Sequence, residues 1–286
     1  MKIFRTETTK LRKSYVLDKD KIYLITDPLD FLLSDSKDEI MIAEIGADVN
    51  SFFSMTSKER IITPYDPPEM WGSGISYFIS RQRYTDPDVA RIRDKSIYET
   101  VYDAERPEIF FKGTVRTVVG PNNSVQVRRD SNWTLPEPEL AVIIDHTGKV
   151  LAYTIFDDVS ARDIEAQNPL YLPESKIYNG SSAFGPYLVT PDEFGDPYSK
   201  DIRMRILRNN KTIFDGSTST SNMKTKIDKQ IDYLLIDNDV PDGTLLTTGT
   251  SIIPNKDQGL NDNDVVEISI EGIGTLTTTV KKNTNK

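Results

Sequence analysis

A chain of 286 residues, 37% hydrophobic and 28% charged, is long enough for one large packed domain, with or without a smaller companion. A net charge of −9 opposes nucleic acid and anionic membrane, which both need a basic face, and gives no steering to an anionic substrate. The absence of cysteine excludes disulfides, thiolate metal sites and thiol nucleophiles together.

The opening segment, MKIFRTETTKLRKSYVLDKDKIYLITD, has no apolar run of the kind a secretory signal carries. No stretch of the chain approaches the roughly 20 apolar residues of a membrane span, so a cytoplasmic protein is expected. KIFRT, SYVLD and KIYLIT read as short strands and DPLDFLLSD as a short helix, which makes residues 1–64 a small N-terminal domain. The proline- and glycine-rich IITPYDPPEMWGSG then marks a boundary, and residues 65–286 form the second, larger domain. There DPDVARIRDKSIYETVYDA and TSNMKTKIDKQIDYLLID carry helical spacing, the latter with Met223, Ile227, Ile231 and Leu234 on one stripe. ELAVII, VLAYTIF, PYLVT, IRMRILRN, KTIFDGS, TLLTTGTSII, VVEISIEG and TLTTTV are rich in β-branched and aromatic residues and read as strands. The fold class is therefore mainly β with few helices (α+β), a rolled or barrel-like sheet.

The most informative stretch is NWTLPEPELAVIIDHTGKVLAYTIFDDVSARD. Pro136 and Pro138 keep the residues before them out of the helical region. Glu137 and Glu139 then sit at i and i+2 of extended backbone, with both carboxylates on one face. If Asp145 pairs with Gly148 in the DHTG turn, Glu137 stands opposite Phe156 and Asp158 lies just past it. Three carboxylates so placed repel one another unless a hard divalent cation sits among them. Oxygen-only ligands favour Mg²⁺, Mn²⁺ or Ca²⁺ over Zn²⁺. Asp157 competes with Asp158 for the third position, Asp163 reads as a helix or turn partner, and Glu137 and Glu139 read equally as solvated edge residues.

This stretch resembles the metal motif of the fumarylacetoacetate hydrolase family: an acidic residue, a hydrophobe, Ser or Thr, then Ala-Arg-Asp. The resemblance selects Asp158 as the third ligand beside Glu137 and Glu139. LLTTGTSIIPNKDQGLNDNDVVEISIEGIGTLTTTV is similar to the family's closing signature, and ESKIYNGSSAFGP to its lysine segment, so the likeness covers roughly residues 65–280. It implies the family's rolled β-sheet catalytic domain, Mg²⁺, a small-molecule 2-keto acid substrate and a homodimer or homotetramer. WGSGISY, IYETVYDAERPEIFFK, DSNWTLPEPELAV and NPLYLPESKIY point to the sugar-acid-dehydrating members of the family. They imply dehydration of a 2-keto-3-deoxy pentonate, with Glu108 and Lys176 beside the metal as the proton-transfer pair. Next to a dication, Lys176 is expected to lose basicity.

One departure matters. Hydrolases of the family carry a His with a nearby Glu where this chain reads GSGISYFISRQRY, with Ser80 and Arg83 in their place. The only histidine is His146, at the DHTG tip, and it reads as solvated. Four further residues are candidates for the substrate. Ser73, between Gly72 and Gly74, reads as an anion nest or as a plain turn. Thr250 reads as a ligand to the substrate carboxylate or as a structural strand residue. Arg83 is placed on a lid over the distal hydroxyl, and Lys112, after IFF, points into the site. The Trp133 and Phe110 rings read as core. The competing functions are another 2-keto acid lyase, hydrolase, decarboxylase or tautomerase, and a non-catalytic metal-stabilised binding domain.

Overall fold

The computed structural model describes residues 1–9, 11–46, 52, 59–78, 91–92 and 95–282. Its frame is two packed sheets. The larger has twelve strands among the described residues. Its main path runs 41–46, 21–25, 12–18, 2–7, 182–189, 150–158, 138–144, 244–247, 70–74 and 108–113. The smaller has five, in the order 124–127, 274–282, 265–270, 201–208 and 211–219.

The central Pro138–Ile144 strand is buried at every position, because both of its faces are covered. Leu140, Val142 and Ile144 enter a core shared with Met204, Ile206, Val266 and Ile268 of the smaller sheet. Ala141 and Ile143 enter a second core with Phe156, Phe184, Leu188 and Leu245. Strict alternation thus decides which face each side chain of this strand reaches.

Residues 1–64 add strands to the edge of the same larger sheet, through Lys2 opposite Val189 and Ile3 opposite Leu188. Phe4, Tyr15, Ile22 and Phe52 form a local hydrophobic cluster there. Ile3, Val16, Phe31 and Leu32 join the second core of the larger sheet. The short helix Pro28–Leu33 begins where expected, with Asp27 accepting the Leu29 amide at 2.8 Å and proline in the first turn.

Three expectations change. Of the helix expected over 86–104, Ile97–Asp103 is helical and Arg91–Ile92 pairs instead with Lys95–Ser96, while 86–90, 93 and 94 lie outside the described residues. The later helix is Ile227–Leu235, and its buried stripe of Ile227, Ile231 and Leu234 is the expected one, with Met223 packed into the same core. TLLTTGTSII is a strand only over Thr244–Thr247, because Gly249 takes φ +84°, which ends the extended run.

Candidate functional site

Five strand ends converge at one end of the larger sheet. They are the starts of 138–144 and 108–113 and the finishes of 150–158, 244–247 and 70–74. Both cores run out of apolar side chains there, and carboxylates take over. The observed register puts Glu139 opposite Phe156 and Pro138 opposite Asp157. It therefore differs from the expected one by two residues. The turn closes with Asp145 donating to the Lys149 carbonyl, and an irregularity between Ile143 and Ile144 supplies the rest of the shift. Glu137 is thereby level with Asp158, whose amide donates to the Glu137 carbonyl at 3.0 Å.

Face alternation separates the two aspartates. Asp158 lies two residues from Phe156, on the face of Glu137 and Glu139. Asp157 lies on the other face, where its Oδ1 accepts the Glu137 amide at 3.1 Å. One oxygen from each of Glu137, Glu139 and Asp158 lies within 4.8 Å of the others, and all three residues are buried. Asp163 serves as the turn partner, accepting the Ser131 hydroxyl at 2.6 Å and the Asn132 amide at 2.8 Å.

Two lysines meet this cluster. Lys176, ending the short helix Leu172–Lys176, donates to Glu137 Oε2 at 2.6 Å, Asp158 Oδ2 at 3.0 Å and Ser160 Oγ at 2.6 Å. Ser160 Oγ in turn donates to Glu137 Oε2 at 2.9 Å. Lys112 approaches from behind, 3.1 Å from Asp158 Oδ1, and its side chain is 0% exposed. The expectation that Lys112 reaches substrate is therefore corrected. On the Glu108–Gly113 strand its side chain turns inward, beneath the carboxylates, and the cleft wall is built from other residues.

That cleft is lined by Ser73, Glu108, Phe110, Lys176 and Thr250 together with the three carboxylates. Arg162 and Glu165, an ion pair on the helix Arg162–Gln167, complete the wall. Sequence reasoning missed this pair, although Arg162 stands inside the Ala-Arg-Asp motif. It also placed Phe110 in the core, whereas the ring lines the cleft 5.7 Å from Lys176 Nζ. Arg83 and Ser80 lie outside the described residues.

Two glycines make this approach possible. A Cβ on Gly74 would stand 2.0 Å from Glu108 Oε2, so the carboxylate lies against bare backbone. Gly249 has positive φ and no room for a Cβ, which would meet Ser76 Oγ at 2.2 Å. Its amide donates to Glu139 Oε2 at 2.7 Å. Ser73 Oγ is buried and has no hydrogen-bond partner among the described residues.

The electrostatics follow from burial and from the balance of charge. Burial raises Glu139 well above the usual carboxylate range, and the charge of Asp158 adds to it. Burial also raises Glu108, to about 7, helped by the charge of Glu165 and opposed by Lys176 and Arg162. For Asp158 burial again pushes upward, but the ammonium groups of Lys112 and Lys176 more than offset it, leaving the group below its usual value. Lys176 shows the converse: burial lowers it, while Asp158 and Glu137 hold it well above its ordinary value. The protein's own groups thus move Lys176 opposite to the direction expected for a lysine beside a dication, because the carboxylates act on it first.

Five carboxylates line the cleft (Glu108, Glu137, Glu139, Asp158 and Glu165) against two cationic side chains, Arg162 and Lys176. An oxygen-only donor set with surplus negative charge fits a hard divalent cation. Glu137, Glu139 and Asp158 are the residues placed to hold it.

Comparison with known proteins agrees with this geometry. The chain is 53% identical to 2-dehydro-3-deoxy-D-arabinonate dehydratase of Saccharolobus solfataricus, over 99% of this chain and 97% of that protein. It is 39% identical to a probable 2-keto-3-deoxyxylonate dehydratase of Haloferax volcanii, over 84% of this chain and 81% of that protein. A solved structure of 2-keto-3-deoxy-D-arabinonate dehydratase, complexed with magnesium and 2,5-dioxopentanoate, superposes over the full length of both chains. Its TM-score is 0.91 and its identity 50%. The model of the fumarylacetoacetate (FAA) hydrolase C-terminal domain matches residues 89–281. With two strand-borne glutamates, an aspartate level with them across the hairpin and the matching domain spanning most of its length, this chain belongs to the fumarylacetoacetate hydrolase family.

Proposed function

We propose that this protein is a Mg²⁺-dependent hydro-lyase that dehydrates a five-carbon 2-keto-3-deoxy sugar acid to 2,5-dioxopentanoate. The observation that carries the proposal is the convergence of Glu137, Glu139 and Asp158 with Glu108 and Lys176 in one cleft. The magnesium and 2,5-dioxopentanoate of the solved relative support the same substrate class.

A dication held by the three carboxylates supplies Lewis acidity toward the carboxylate and keto oxygens of a 2-keto acid. The chain's own residues supply the proton movements. Glu108 and Lys176 are the proposed pair. One removes a proton from C3, next to the ketone, and the other delivers a proton to the C4 hydroxyl. The C4–O bond breaks and water leaves. A proton shift from C5 to C3 then turns the unsaturated keto acid into a C4=C5 enol, and a second shift, from the C5 hydroxyl to C4, gives the dioxo acid. Burial of Glu108, with Glu165 beside it, suits it to exchange protons near neutrality. Ser73, with its unpartnered hydroxyl, and Thr250, next to Gly249, are the proposed contacts for the substrate. Arg83 is proposed for the distal hydroxyl on the strength of the sequence alone.

Hydrolysis of acylpyruvates has no comparable support. The sole histidine, His146, sits at the far tip of the hairpin, and its side chain is 68% exposed. With about 3.3 Å of rise per residue, the 138–144 strand separates it from the carboxylates by roughly 20 Å. No helix among the described residues is long and apolar enough to cross a membrane. A cytoplasmic homodimer or homotetramer belongs to the same proposal; exposed Leu170, Phe78 and Val115 offer apolar surface for subunit contact.

The deciding experiment is a coupled assay for 2,5-dioxopentanoate on a panel of 2-keto-3-deoxy sugar acids, with EDTA and then with added Mg²⁺. Turnover of the arabinonate- or xylonate-type acid that chelation abolishes and Mg²⁺ restores is the expected result. Faster cleavage of an acylpyruvate overturns the assignment.

A further inference from the structure

Lys112 is the one lysine among the described residues that is fully buried without reaching the cleft. Its Nζ donates to the Ser181 carbonyl at 3.0 Å, to Ser181 Oγ at 3.3 Å and to the carbonyl of Lys176. It also stands 3.1 Å from Asp158 Oδ1. Three N–H groups thus serve four acceptors. Those acceptors are the backbone of one proposed proton-transfer residue, a turn beside it and one oxygen, Oδ1, of a metal-site carboxylate. Burying an ammonium costs free energy that an apolar side chain of the same shape would avoid, so its place beneath this cluster asks for a reason.

The geometry of Asp158 suggests one. Its two oxygens are divided: Oδ1 faces Lys112 and Oδ2 faces Lys176. A group that moves protons cannot also be a constant counter-charge. We infer that Lys112 is a positioning residue. It fixes Asp158 through Oδ1, so that Oδ2 is presented to the cavity shared with Glu137 and Glu139 whatever Lys176 is doing. It also anchors the end of the Leu172–Lys176 helix through the Lys176 carbonyl. The inference rests on the proposed metal site and adds a residue that touches neither substrate nor metal.

The test is divalent-cation affinity rather than turnover. Mn²⁺ binding to the purified full-length chain is read by electron paramagnetic resonance, and Mg²⁺ binding by calorimetry, for wild type, K112M and K112Q. Residues that orient metal ligands typically change affinity 10–100-fold when replaced. K112M is therefore expected to bind Mn²⁺ at least tenfold more weakly, with K112Q, which keeps an amide donor, between it and wild type. A merely structural role would lower the melting temperature of the metal-free protein and leave affinity in place. K112M affinity within twofold of wild type overturns the inference. So does failure of both variants to fold, which would assign Lys112 to the fold alone. If wild type itself binds neither ion, the metal reading fails instead, and the two failures are distinct.

Discussion

Glu137 and Asp158 face each other directly across the hairpin, joined by the 3.0 Å bond from the Asp158 amide to the Glu137 carbonyl. Their side chains share Lys176, which donates to Glu137 Oε2 at 2.6 Å and to Asp158 Oδ2 at 3.0 Å. Glu139, two residues along, has its Oε2 on the amide of Gly249 instead. The three carboxylates therefore differ in what holds them, and their substitutions should differ in kind.

Asp158→Ala removes the charge facing two buried ammonium groups. Breaking a buried pair in this way typically costs about 3–5 kcal/mol. Urea unfolding in EDTA should show a loss on that scale. Glu139→Gln keeps an acceptor for Gly249 at a carboxyl that burial already pushes toward its neutral form, so the same measurement should show little or no loss. Both variants should bind Mg²⁺ at least tenfold more weakly. Equal destabilisation by the two would refute the division of roles.

Lys176→Ala and Glu108→Gln should lower kcat by about 10²–10⁴-fold, the usual contribution of a positioned proton-transfer group. Glu108→Gln should leave Mg²⁺ affinity within a few-fold, since Glu108 lies outside the three-carboxylate cluster. Either variant retaining near wild-type turnover at saturating Mg²⁺ would remove that residue from the chemistry.

Gly74→Ala is a subtler probe. The new methyl would occupy space 2.0 Å from Glu108 Oε2, so the carboxylate must move. Misplacement by about 1 Å can cost on the order of 10²-fold in rate. The expected phenotype is a kcat close to that of Glu108→Gln with unchanged Mg²⁺ affinity. Steady-state kinetics together with calorimetry would read both.

His146 supplies a control far from the chemistry. Its Nδ1 lies 2.7 Å from Asp242 Oδ1, and this hydrogen bond raises the imidazole above its ordinary value, while Asp242 is lowered by the bonds it accepts from His146. The sign follows for each group. A raised histidine contributes stability that is complete below the unfolded value of about 6.5 and is lost as pH rises through the folded value. A lowered aspartate contributes stability present above about 3.9 and lost as pH falls through its folded value. Because His146 is the only histidine, its ring proton resonance can be followed without assignment. Asp242→Asn should return its midpoint to the ordinary value, and His146→Asn should leave kcat within about twofold. A change in turnover beyond that would place the hairpin tip in the mechanism.

The sequence by itself determined the strands, the Glu137 and Glu139 pair and the order of motifs. These rest on local rules: period-two alternation, proline's restriction on its neighbour and the spacing of acids along one strand. Family likeness also singled out Glu108 and Lys176, while Ser73, between two glycines, and Thr250 were candidates beside plain structural readings. Other features were decided only by tertiary structure. The turn closed by Asp145 and Lys149 and the irregularity between Ile143 and Ile144 together shift the register so that Asp158 is level with Glu137, and a local pattern carries no signal for one inserted residue. The depth of Lys112 beneath the carboxylates, and the presence of Phe110, Arg162 and Glu165 on the cleft wall, depend on how the 108–113 strand and the 162–167 helix are set against the hairpin. Those placements come from long-range packing. Residues some 50 positions apart in sequence become neighbours only once both cores have closed, so no window of sequence could have contained them.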